Sequence, residues 1–158
     1  IYVGPYLARW PDFAFVVEDE LGVAGYIVGA PDTAEHERWL EAHWWPTLRR
    51  RYPVGSFPEG SADDNCVAHI HDPPTTERTI LDEYPANLHI DLLARTQGRG
   101  YGRRLMNRFL AEMNEAGAPA IHLACSPRNT GAIAFYRRLG FTDLRDHIWY
   151  GRATASDD

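Results

Sequence analysis

The chain has 158 residues, 44% of them apolar and 12% aromatic, enough for one domain with a real core and too few for a full (β/α)8 barrel. Sixteen basic residues, all arginine, against 22 acidic ones leave a net charge of −6, which argues against nucleic acid as the main partner and mildly favours a cationic one. Cys66 and Cys125 make neither a disulfide framework nor a metal set, no apolar run reaches membrane-spanning length and no charged-then-apolar leader opens the chain, so a cytoplasmic protein without a membrane partner is expected.

In chain order, residues 13–18 and 22–29 are two β-rich runs separated by Asp19-Glu20-Leu21, which predicts an antiparallel hairpin. Gly25 and Gly29 inside the second run point to a bulge or to close approach by another backbone. Pro31-Asp32 opens a helix, with Asp32 as N-cap and Glu35 as its reciprocal partner. Trp39, Leu40, His43, Trp44 and Leu48 share a broad face, and Pro46 either kinks that helix or starts a second one. The aromatic face reads as core more readily than as a substrate cage.

From 53 to 86 the chain changes character, broken by prolines 53, 58, 73, 74 and 85 and by glycines 55 and 60. Residues 66–70 read as a short strand and 76–84 as a short helix ended by Pro85. Long irregular segments in compact domains tend to be functional, so part of this stretch is assigned to ligand recognition. His69 and His71 with Asp72 would need a further ligand to hold a metal, and none appears at suitable spacing. No metal is expected.

Residues 88–93 read as a buried strand, 103–113 as a helix, and Gln97-Gly98-Arg99-Gly100-Tyr101-Gly102 lies between them. On the helix, Leu105, Met106, Phe109, Leu110 and Met113 line one face. Three side-chain-free positions at the positive end of a helix dipole let a phosphate approach backbone N–H groups closely. A dinucleotide turn does not fit: the third glycine of its spacing falls on Arg103, and Ala120 and Ile121 stand where a ribose-binding acid belongs. A nucleoside-triphosphate loop needs a lysine, and there is none. Gly117 stops the helix, residues 120–125 form an apolar strand, Asn129 caps a helix over 130–139, and Gly140 ends it. Residues 147–152 read as a last strand and 153–158 as a frayed tail.

Q-x-x-G-x-G between a strand and a long helix, followed by Asn129 and Ala134-Phe135-Tyr136-Arg137-Arg138-Leu139-Gly140-Phe141, resembles the GNAT superfamily of N-acetyltransferases. Val3-Gly4-Pro5-Tyr6-Leu7, Phe15-Val16-Val17-Glu18-Asp19, Gly22-Val23-Ala24-Gly25-Tyr26 and Trp44-Trp45-Pro46 extend the likeness to the acetyltransferase-like C-terminal domain of O-GlcNAcases, over nearly the whole chain. The animal O-GlcNAcase domain has lost the glycine pattern that is intact here. The resemblance implies an α/β (α+β) fold, with a mixed, mostly antiparallel sheet flanked by helices and splayed between two central parallel strands. It also implies one domain over 1–158. Ile1 is not a start methionine, and the usual first strand and helix are expected upstream or from a partner. The lysine-free composition points to a GC-rich bacterial genome.

The resemblance further implies acetyl-CoA as donor. Backbone groups of Leu92, Leu93 and Ala94 would hold the pantetheine arm, and Gln97, Gly98, Arg99, Gly100, Tyr101, Gly102 and Arg103 the pyrophosphate, with Asn129 as a second cofactor contact. Asp91, a carboxylate in an apolar strand, is the candidate base or else a satisfied structural carboxylate; His89, alternating with it on one strand face, is the reserve. Tyr136 is the candidate acid toward the leaving sulfur and also a cofactor neighbour, plain core packing being its other reading. Neither cysteine reads as a nucleophile, so direct attack by the amine in a ternary complex is expected. The O-GlcNAcase likeness puts Asp32 and Trp44 near the acceptor. A small-molecule amine and a peptide or protein lysine both remain open as acceptors, and nothing in the sequence indicates an oligomer. An acetyl-CoA-binding or protein-interaction module without turnover is the alternative.

Overall fold

The computed structural model describes residues 1–146 and 148–155. Six strands form one sheet in the order β1-β2-β3-β4-β6-β5: β1 Ala14–Asp19, β2 Gly22–Ala30, β3 Ala86–Leu92, β4 Ala120–Ala124, β5 Thr142–Arg145 and β6 Trp149–Ala153. All neighbours are antiparallel except β3 and β4, which run parallel and pair only at Ala86/Ile121 and Asn87/His122 before diverging. The expected splay is therefore present, and it opens at the C-terminal end of β3.

The main core lies on one face of this sheet. Helix α6, Tyr101–Glu115, buries all five residues of the predicted stripe, with Met106, Phe109 and Met113 at 0% exposure. It can sit that close because Gly29 has no side chain: a Cβ there would lie 2.0 Å from the Asn87 carbonyl oxygen and 2.5 Å from Phe109. The hairpin forms as expected, with a register shift between Val17 and Glu18, next to Gly25. Helix α7, Thr130–Arg138, adds Tyr136 to the same core, and Asn129 caps it by accepting the Ala132 N–H at 3.1 Å. Gly140, at φ 82, lets the Phe141 N–H reach back to the Tyr136 carbonyl.

The other face carries α1, Gly4–Arg9, and a run of short helices: α2 Thr33–Trp39, α3 Trp45–Arg51, α4 Ala62–His71 and α5 Arg78–Glu83. Asp32 caps α2 as expected (Glu35 N–H to Oδ1, 2.8 Å), while Glu35 turns away to Arg9. Between α2 and α3 the chain makes a π turn, Leu40–Trp44, in which the Trp45 N–H reaches the Leu40 carbonyl five residues back. Pro46, just beyond, has no N–H to draw the helix into tighter register, and it starts α3.

The strand expected at 66–70 is instead part of α4. Ser61 caps it through the Asp64 N–H at 3.1 Å, two aspartates occupy its first turn, and Val67 and Ile70 are buried at helical spacing. A five-residue apolar run is compatible with either element, and the cap decides. His69 and His71 consequently point apart: His69 packs between Tyr2 and Trp45, and His71 meets the Tyr52 carbonyl at 2.8 Å. The C-terminal segment also holds more firmly than expected. Ala153 belongs to β6, and buried Thr154 bonds Ala118 and Pro119. His147 and residues 156–158 of the expected strand and tail lie outside the described residues.

Candidate active site

A cleft of about 670 Å³ fills the splay. Its floor is β3 (His89, Asp91, Leu92), one wall is the glycine turn with Arg103, and the other is Asn129, Tyr136 and Arg138 from the α7 side. Gly98 and Gly100 adopt φ 72 and 84, where side chains are strained, and Cβ atoms there would point into open space. Gly102 is required for another reason: a Cβ would meet Leu92 at 2.9 Å and Phe135 at 3.0 Å. The N–H groups of residues 98–103 meet no protein acceptor among the described residues, and four of these residues, Gly98, Gly100, Gly102 and Arg103, line the cleft at the start of α6. Arg99 and Tyr101 belong to the turn but do not line the cleft.

The turn is braced from behind. Buried Thr96 donates to the Leu93 carbonyl at 2.8 Å, and Arg95 pairs with Asp19 at 2.8 Å, holding that carboxyl below its usual range. The Gln97 amide donates to the Leu92 carbonyl at 2.9 Å. The Leu93 N–H is taken by the Ala24 carbonyl at 2.9 Å, and Leu93 and Ala94 lie outside the cleft. Of the three residues expected along the pantetheine arm, only Leu92 borders it.

Asp91, His89 and Tyr136 do come together on the cleft. Asp91 is exposed there and accepts the Tyr26 hydroxyl at 2.5 Å across the Tyr26/Asp91 rung. Burial and the Asp91 carboxylate push the Tyr26 phenol up to about 12, so it remains a donor at neutral pH. His89 is open to the cleft, yet packed protein displaces enough of its water to lower its pKa, against the pull of Asp91, which raises it. It is therefore uncharged at pH 7. Tyr136 is 8% exposed, and its hydroxyl finds no acceptor among the described residues. Burial, then the negative charge that Cys125 and Asp91 would both carry at the high pH where a phenol ionises, push its pKa well up, so it keeps its proton at neutral pH. Burial also raises the Cys125 thiol, which accordingly stays neutral.

A second cavity, of about 790 Å³, opens on the opposite face of the sheet and shares Leu88, His89, Leu123 and Ala124 with the first. His89 thus stands where the two meet. Neither Asp32 nor Trp44 lines it: Asp32 is spent on its cap, and Trp44 packs against Gly4 with its indole N–H unpartnered. Their neighbours Thr33 and Trp45 border it instead. Tyr26 and Arg138 were not singled out from sequence. Both lie within runs that carry the family likeness, but the bond from Tyr26 to Asp91 becomes legible only once the strand register is known.

Residues 35–141 match the family model described as Acetyltransferase (GNAT) family. The crystal structure of SsHAT superposes with a TM-score of 0.84 at 41% identity, over 98% of this chain and 79% of that one. Protein O-GlcNAcase of Rattus norvegicus is 23% identical over 144 residues, which are 90% of this chain and 16% of that protein's length. The polyamine N-acetyltransferase of Drosophila melanogaster shares the fold at 15% identity and a TM-score of 0.55, over 94% of this chain and 78% of that one. Among the described residues no helix is long and apolar enough to cross a membrane.

Proposed function

Because the chain belongs to the acetyltransferase (GNAT) family, we propose that it is an acetyl-CoA-dependent N-acetyltransferase acting on a primary amine by direct attack in a ternary complex. The observation that carries this reading is one cleft lined both by Gly98, Gly100, Gly102 and Arg103, whose N–H groups meet no acceptor among the described residues, and by Asp91 and Tyr136. The turn fits a pyrophosphate. Its glycines leave the donors bare, and Arg103 and Arg138 border the same cleft. Acetyl-CoA supplies an acetyl thioester there.

The residues of the chain supply proton handling. An alkylamine of pKa about 10.4 is protonated at neutral pH, by roughly three units or ~4–5 kcal/mol, and must lose a proton before it attacks. Asp91, oriented by Tyr26, takes that proton directly or through water, with uncharged His89 beside it as the reserve acceptor. Tyr136 holds a proton at Oη, which faces no acceptor among the described residues, ready for the departing sulfur. Cys125 is buried and neutral, which supports direct attack over an acyl-cysteine.

The short Tyr26–Asp91 bond also favours a second reading, in which Asp91 is a satisfied structural carboxylate and the domain binds acetyl-CoA without turnover. Two measurements separate the possibilities. Acetyl-CoA at 100 times its dissociation constant should stabilise the fold by about 2.7 kcal/mol, whereas NAD should do nothing. No shift with acetyl-CoA would remove both readings. Thiol release above hydrolysis on an amine panel then selects the enzyme, and its absence the binding module.

A further inference from the structure

The second cavity differs in character from the first. Its walls carry a group of aromatic rings, Tyr6, Trp45, Trp149, His36, His69 and His122, among aliphatic, proline and threonine residues. Tyr6 stacks on His36 at 4.4 Å, Trp45 meets His69 edge-on at 5.9 Å, and Trp149 meets His122 edge-on at 5.6 Å. Burial keeps these histidines uncharged. His36 is lowered to about 4, and His69 and His122 are lowered as well. Two carboxylates reach the cavity and both are engaged: Glu41 by two bonds of 2.8 Å from Arg49, and Glu37 by the Thr76 N–H at 2.9 Å.

A polyamine needs several free carboxylates for its spaced ammonium groups, and this lining does not provide them. A cavity of about 790 Å³ is of small-molecule size, and apolar walls with few polar groups suit a ring more than an extended polar peptide. The cavity meets the reaction cleft at Leu88, His89, Leu123 and Ala124, which line both, just past the last β3–β4 rung at Asn87/His122. An amine held in it therefore has its route to the donor past His89.

We propose that this cavity is the acceptor site and takes a primary monoamine carried on an apolar, ring-bearing body, with the amino group toward His89. The assignment rests on the acetyltransferase reading for its chemistry, but occupancy of the cavity is measured apart from turnover. Ala42, exposed on the π turn at the cavity wall, allows a substitution that narrows the cavity without disturbing the core.

Calorimetry with coenzyme A present should show 2-phenylethylamine binding about tenfold or more tightly than spermidine or a short lysine peptide. Ala42→Trp should weaken that binding by about tenfold or more, with acetyl-CoA affinity and thermal melting unchanged. Tighter binding of spermidine or of the peptide would overturn the proposal, as would an Ala42→Trp variant that binds 2-phenylethylamine like the parent. Thiol release distinguishes the two failures. If 2-phenylethylamine binds but releases no thiol, the cavity assignment stands and the enzyme reading falls; if thiol release follows spermidine alone, the reverse holds.

Discussion

Tyr26 and Asp91 face each other across a single rung, and the phenol, pushed up to about 12, donates to the carboxylate across the whole neutral range. Removing a hydrogen bond to a charged group costs about 1.5–3 kcal/mol, so Tyr26→Phe should lower kcat by roughly 10- to 100-fold. Cofactor affinity measured by calorimetry should not change; a parental kcat would make the bond incidental. Asp91→Asn and Tyr136→Phe should each lower turnover by about 100-fold or more, again with acetyl-CoA affinity kept. Wild-type rates in both would mean that neither handles the proton. At this scale strand alternation was enough to put His89 and Asp91 on one face, whereas Tyr136 was singled out by the family resemblance; all three line the cleft. Tyr26 stayed hidden because its partner is chosen by the pairing of β2 with β3, two runs separated by more than fifty residues. Trp44 and Asp32 were placed near the acceptor by resemblance; their neighbours Trp45 and Thr33, not they, line the second cavity.

Among the elements, the glycine turn and the helix behind it make the most exacting demands on backbone. Gly100 holds φ 84, and a side chain in the left-handed region costs roughly 1–2 kcal/mol. Gly100→Ala should accordingly lower the melting temperature and weaken acetyl-CoA binding together; unchanged affinity would remove the turn from the site. Gly29→Ala makes a different test, since its Cβ would lie 2.0 Å from the Asn87 carbonyl oxygen. Overpacking of that kind typically costs about 1–3 kcal/mol, to be read from urea unfolding, with the cleft residues themselves untouched. The turn and α6 were legible because glycine spacing and a 3.6-residue stripe are local signals. Helix α4 was not, because its five apolar-rich residues fit a strand equally well until Ser61 is recognised as a cap. The π turn was half legible. Pro46 announced an interruption, but the widened turn before it depends on how α2 and α3 pack.

For the whole molecule, the consequence of burying uncharged histidines is sensitivity to acid. Buried His36 and His122 both have pKa values below the ordinary 6.5, so the unfolded chain takes up protons that the folded one refuses. Their contribution is intact above about pH 6.5 and is lost as pH falls; for His36 the loss runs down to about 4. Urea midpoints measured from pH 7 to pH 4 should decline, and His36→Gln should flatten the decline. A curve unaltered in the variant would show that His36 is not its source. The parallel pair at the centre of the sheet followed from the family likeness and not from periodicity, which cannot order strands. That central pair has one more consequence. Beyond Asn87 and His122 the two strands part like a zipper stopped after two teeth, and alternation along β3 turns the Ile90 and Leu92 amides toward the gap. Those amides should trade hydrogen for deuterium quickly in the free protein and slowly once an acyl donor fills the gap, a signal readable before any acceptor has been found.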